Sequence, residues 1–164
     1  VYRPWLEHWL RGRVAQAADV DDVVQTVFAV LVQKLPRFEH NGNTGAFRAW
    51  LRGIVVNRLR EFRRVQATLA AGDFDPLIEQ LADDGSELSR QWDRDHDQHV
   101  VNQLLRMMQP DFEPQTWAAF RAFVMEGEPA AVVAARLGIS EGAVWTAKSH
   151  VLKRLRQVAK DWLD

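Results

Sequence analysis

Apolar residues recur at helical spacing from one end of this chain to the other, and no stretch alternates as a half-buried strand would. That pattern restricts the fold to helices packed on helices. Trp5, Leu6 and Trp9 share one face of a helix expected over Tyr2 to Leu10. A second helix, capped by Asp19 and stopped by Pro36, carries the inward stripe Val20, Val23, Val24, Val27, Phe28, Leu31 and Leu35. A third runs from about Ala46 to Val65 on Phe47, Trp50, Leu51, Ile54, Val55, Leu59 and Phe62, after a loop at His40 to Gly45. From Glu87 a further helix carries Leu88, Trp92, Val100, Leu104, Leu105 and Met108, and Pro114 starts another that ends near Gly127.

Residues 67 to 86 lose the periodicity and gather Gly72, Pro76, Asp83, Asp84 and Gly85, with at most a helical turn around Leu77–Ile78. The expected organisation is therefore all-α, with two small helical domains at 1–68 and 89–164 joined by a flexible acidic linker at 69–88. Across 164 residues, each half is small enough to bury only about 60% of its unfolded surface. The first residues read as the middle of a helix, which points to a natural start upstream of Val1.

Charge sharpens this division. The formal net charge is −1, but it is strongly segregated. Arg48 to Arg64 holds six arginines against Glu61 alone, and Arg136 to Lys160 holds six bases against Glu141 alone. Between them, Asp73 to Asp97 carries nine acids against Arg90 and Arg94. Two basic modules and an acidic connector suit a nucleic-acid binder. Cysteine is absent, which excludes disulfides and thiol catalysis and fits a reducing cytoplasm. No run approaches the roughly 20 apolar residues of a membrane span. Without a Ser/His/Asp order, a phosphate-binding glycine loop or a close carboxylate pair, no catalytic site is expected, nor any cofactor. The cluster Asp95-His96-Asp97-Gln98-His99 has ligand-type side chains but reads as a solvated helix face, so no metal is expected.

Near the C-terminus, Glu128 to Val144 reads as helix, turn and helix. Pro129 suits a first turn, Val133, Ala134 and Leu137 form an apolar face, Gly138 sits where a left-handed residue closes the turn, and Ser140 is an N-cap. Val144, Ala147, Val151, Leu155, Val158 and Trp162 then make a buried seam. The opposite face presents Glu141, Gly142, Trp145, Thr146, Ser149, His150 and Lys153, short polar groups with one aromatic, a fit for base edges in a DNA major groove. Lys148, Lys153 and Arg154 are placed for phosphates. A core position for Trp145 and an ordinary solvated face for the bases are the competing readings. The third helix interleaves aromatics with arginines, a pattern that serves stacking on single strands but also occurs in ordinary cores.

The run Asp19 to Phe28, then Gly45-Ala46-Phe47-Arg48-Ala49-Trp50-Leu51, Asn57 and Arg63-Arg64, resembles region 2 of a sigma-70 family factor. The likeness is to the small extracytoplasmic-function group, which keeps only regions 2 and 4, and the C-terminal helix–turn–helix resembles region 4. The resemblance implies a promoter-specificity and DNA-melting role with RNA polymerase core and promoter DNA as partners, and an anti-sigma factor or other regulator. It implies that Asp22, Gln25, Thr26, Phe28 and Ala29 dock on the clamp helices of the largest subunit, with the flap region a further contact. It assigns Trp50, Asn57, Arg58, Arg60, Arg63 and Arg64 to the melted −10 element. Trp145, Thr146, Lys148, Ser149, His150 and Lys153 are assigned to the −35 duplex. Ala147 and Leu152 stand where many members carry bases, so the −35 contacts are expected to be few. The alternatives are a stand-alone helix-turn-helix regulator, binding duplex DNA tightly without polymerase, and a helical interaction module such as an adaptor or anti-sigma protein, which would support no transcription.

Overall fold

The computed structural model describes residues 2–14, 17–39, 43–67 and 75–163, with side chains through residue 159. All its regular elements are helical, and the β-type pairing among the described residues is an isolated bridge between Arg11 and Val14. The chain divides into two compact units, residues 1–99 and 100–164.

In the first unit, α1 (Tyr2–Leu10), α2 (Ala17–Lys34) and α3 (Ala46–Ala67) pack around one core. The buried stripe of α2 is Val20, Val23, Val24, Val27 and Leu31, spaced at three and four residues as a helix face requires. Leu35 departs from the expected stripe. Pro36 tightens the chain into a 3₁₀ turn at Leu35–Arg37, which rotates Leu35 outward and leaves it 51% exposed. On α3, Leu51, Ile54, Val55 and Leu59 are buried as expected, and Val56 and the side chain of Arg52 join them.

Inside the segment expected as a linker, residues 76–82 form α4 (Pro76–Ala82), packed on α3 through Ile78 and Leu81. Its start is set locally: Asp75 accepts a hydrogen bond from the Leu77 N–H at 3.0 Å, and Pro76 occupies the first turn. The turn that follows is tied by Ser89, whose hydroxyl donates to the carbonyls of Leu81 at 3.0 Å and Asp83 at 2.6 Å. The helix α5 (Glu87–Met108) begins there, and its residues to His99 belong to the first unit. Trp92 is fully buried, edge-on to Trp5 and Trp9 with ring centroids 5.0 and 4.8 Å away, and its indole N–H donates to the Arg48 carbonyl at 3.3 Å.

The second unit contains the end of α5, α6 (Pro114–Phe120), α7 (Ala130–Leu137) and α8 (Glu141–Leu163). α6 runs on into a π-helical turn at Arg121–Met125. Pro129 lies one residue before α7, as its N-cap rather than in its first turn. Gly138 is left-handed at φ 65°, ψ 35°, and the Ile139 N–H donates to the Ala134 carbonyl at 3.1 Å, closing α7 as a left-handed cap does. Ser140 caps α8 through a hydrogen bond from the Ala143 N–H at 3.1 Å. Val144, Ala147 and Val151 are buried, with Leu155 and Val158 half-buried further along the same seam. The Trp162 side chain lies outside the described residues.

Candidate nucleic-acid interface

Asn57, Arg58, Arg60 and Arg64 line one open groove of about 370 Å³ on α3, together with Glu61. Four of the six residues assigned to a single-stranded element thus share a surface. Arg58 pairs with Glu61 at 2.7 Å within the helix, and Arg64 and Asn57 are exposed. Trp50 lies apart from the groove, half-buried against Phe38 and Phe47 at centroid distances of 4.8 and 5.6 Å. Arg63 pairs with Asp75 at 2.9 Å and donates to Gln66 at 3.2 Å, while Arg60 pairs with Glu79 at 3.1 Å.

Arg48 and Arg52 contribute to the positive charge of α3 in the sequence but point elsewhere in the fold. Arg52 is only 6% exposed and pairs with Asp84 and with Asp93, the latter at 3.4 Å. Arg48 pairs with Asp97 and, at 3.5 Å, with Asp93. Arg48 and Arg52 are four residues apart, as are Asp93 and Asp97. Matched spacing on two basic and acidic helices was the available sign that these charges meet across a helix pair.

His96 and His99 lie away from solvent, contrary to the solvated face expected of that cluster. His96 is buried, stacked on Tyr2 at 5.7 Å, and His99 is half-buried and stacked on Trp5 at 5.6 Å. Burial holds the His96 pKa below its usual value, with Asp97 beside it opposing the shift. Burial also raises the Tyr2 pKa, helped by the charge of Asp97. At the start of α5, hydrogen bonds from Arg94 and Arg90 lower the Glu87 pKa.

On α2, Asp22, Gln25, Thr26 and Ala29 are exposed on the side away from the buried valines, and the Thr26 hydroxyl donates to the Val23 carbonyl at 2.8 Å. Phe28 is half-buried and packs on the core, so it supports that surface more than it forms it.

On α8, Trp145, Thr146, Ser149, His150 and Lys153 are all exposed, opposite the buried seam. Trp145 is 51% exposed, which excludes a core position. Its ring is braced edge-on by Phe123 at 4.7 Å, and the half-buried Lys148 ammonium sits 5.3 Å above it. The Thr146 hydroxyl donates to the Gly142 carbonyl at 2.9 Å. Arg154 turns back to Asp111 at 3.3 Å.

These surfaces define an all-helical protein with two basic helix faces, one carrying arginines and the other an exposed tryptophan. Residues 1–68 match the family model of sigma-70 region 2. The match covers less than half of the chain and supports a sigma-70 family reading with a role in transcription initiation. Comparisons with curated proteins and with solved structures return no match. No described helix is long and apolar enough to cross a membrane.

Proposed function

We propose that this chain is a sigma factor of the extracytoplasmic-function group, giving RNA polymerase promoter specificity and helping to open the duplex. The region 2 match over residues 1–68 carries the reading. The exposed row Asp22, Gln25, Thr26 and Ala29, backed by Phe28, supports docking on the polymerase clamp helices. The groove of Asn57, Arg58, Arg60 and Arg64 takes the melted −10 strand, with Arg63 on the same helix and Trp50 a separate contact further along it. Residues 100–164 act as region 4, with Trp145, Thr146, Lys148, Ser149, His150 and Lys153 on the −35 duplex and the flap as a further contact. The protein works in the cytoplasm as a specificity subunit, not as a catalyst, and is held by an anti-sigma factor or other regulator when idle.

The energetics suit two weak surfaces combined. Each stacked base contributes about 1–3 kcal/mol, and each good bidentate base contact about the same in discrimination. Neither surface alone makes a tight complex; held together by polymerase, they act as a bivalent reader.

The test is promoter-specific runoff transcription with core polymerase, with and without the chain. Trp145→Ala with Thr146→Ala should lower −35-dependent transcription about tenfold and spare polymerase binding. Asp22→Ala with Gln25→Ala should do the reverse. A chain that binds duplex sites tightly alone and yields no transcript would instead be a stand-alone regulator.

A further inference from the structure

We infer that the chain regulates its own −10 surface: the acidic segment from Asp75 to Asp97 lies on α3 as a latch in which the Asp75 and Glu79 carboxylates hold cations that single-stranded DNA would otherwise take, while Asp84, Asp93 and Asp97 tie the segment to Arg48 and Arg52. This rests on the reading of α3 as the −10 surface and adds its control.

Five carboxylates from this segment meet four arginines of α3. Asp75 pairs with Arg63, Glu79 with Arg60, Asp84 with Arg52, and Asp93 and Asp97 with Arg48, Asp93 also reaching Arg52. The acidic stretch that composition marks as a connector is thus spent largely on neutralising the neighbouring basic helix.

The latch has a fixed end and a releasable end. At the fixed end Arg52 is buried, and the segment is anchored by Trp92 and by the Ser89 hydroxyl within its turn. The Asp84 partner is open to solvent, so what keeps this end in place is the packing of the Trp92 indole against Trp5 and Trp9, with the Arg52 side chain itself covered. At the releasable end the Arg60 and Glu79 side chains are 48% and 50% exposed, and the Arg63 and Asp75 side chains are more covered, at 32% and 23%. Exposed pairs are weak and screened by salt, so a polyanion can displace them. Arg60 also lines the groove with Asn57, Arg58 and Arg64, so the Glu79 carboxylate sits on a cation of the surface assigned to phosphate. Asp75 has two tasks: one oxygen caps α4 and the other meets Arg63. Strand binding would therefore exchange Glu79 and Asp75 for phosphates at Arg60 and Arg63 while α4 keeps Ile78 and Leu81 in the core.

The test is fluorescence polarisation of a labelled single strand of about 12 nucleotides, within the usual binding footprint, titrated with the full chain over a salt series. Asp75→Asn with Glu79→Gln removes both charges and preserves the cap, because asparagine caps helices as well as aspartate. Affinity should rise about three- to tenfold near 100 mM salt, and the log–log salt slope should steepen by about 1.4, for two extra phosphate contacts on a single strand. Glu39→Gln with Glu113→Gln makes the same change in net charge without touching the α3 ion pairs and should leave the slope unaltered. Equal gains in both double variants, or an unchanged slope in the first, would overturn the latch. If the first double variant loses helical circular dichroism, Glu79→Gln alone decides, with a slope change of about 0.7 expected and no change refuting.

Arg60→Ala with Arg63→Ala, assayed by runoff transcription with core polymerase, separates the two layers. Transcription unaffected by that change removes the −10 reading and the latch with it. Transcription lost, but with no tightening from Asp75→Asn and Glu79→Gln, removes the latch alone.

Discussion

The two basic helix faces of this molecule differ in what holds their cations. On α3, Arg48, Arg52, Arg60 and Arg63 all meet carboxylates from Asp75 to Asp97. On α8, the face of Trp145, Thr146, Ser149, His150 and Lys153 is exposed, and Lys148 rests on aromatic rings rather than on an acid. The first surface requires an exchange before it can bind; the second is set in advance by a brace of Phe123 and a capped turn. Equal charge in sequence therefore does not mean equal availability. A segment's net charge measures attraction for polyanions only after its internal pairs are subtracted.

The largest change to this contrast should come from Trp92→Ala. The indole is fully buried between Trp5 and Trp9 and hydrogen-bonds the Arg48 carbonyl, so its loss removes both a core volume and the tie between α5 and α3. A cost of about 3–5 kcal/mol to the first unit is expected. Amide hydrogen exchange should show lost protection in α1 and α3 with α7 and α8 unchanged. Equal loss in α7 and α8 would mean that the second surface is not set independently of the first.

A milder perturbation of the same place is available through pH. The folded-state pKa of His96 lies below its unfolded value of 6.5, mainly because burial disfavours the charged ring. The unfolded chain therefore binds the proton more readily. The contribution to stability is complete above pH 6.5 and declines as pH falls below that value toward the folded pKa. Asp97 and Asp93 soften this effect and Arg48 adds to it. The urea midpoint of the first unit should fall between about pH 7.5 and 5.5, and His96→Gln should remove most of that fall. A midpoint equally pH-dependent in the variant would assign the effect to other groups.

What could be read in advance divides along the same line. The seam of α8, its serine cap and the glycine turn are local features: each depends on residues within a few positions, and the sequence pattern located them. Helical periodicity set Trp145 opposite the seam, and its 51% exposure decides against the core position that competed with that reading. In the first unit the decisive facts are non-local. That Arg52 is buried, that His96 is covered by Tyr2, and that Glu79 sits on Arg60 all depend on partners between 19 and 94 residues away. At Pro76–Ala82 the sequence offered no more than a turn at Leu77–Ile78, because α4 is only seven residues long and its two buried anchors, Ile78 and Leu81, are too few to declare a stripe. Leu35 failed for a local reason, the turn imposed by Pro36.

The smallest test uses one substitution at two glycines. Gly138 has φ +65°, and a Cβ there would meet nothing within 4 Å, so Gly138→Ala is opposed only by its backbone conformation. It should destabilise the second unit by about 1 kcal/mol. Gly53 is exposed within α3, without a positive φ and with equally open space around a Cβ. Gly53→Ala should therefore stabilise the first unit by about 0.5–1 kcal/mol, through helix propensity and the entropy of the unfolded chain. Opposite shifts in the two urea midpoints would establish that the turn before α8 is held by backbone geometry at one residue. A neutral Gly138→Ala would instead move the burden of that turn onto the packing of Val133, Ala134 and Val144. A Gly53→Ala that stabilises yet impairs transcription would show that nucleic acid approaches the α3 backbone at that point, closer than a methyl group allows.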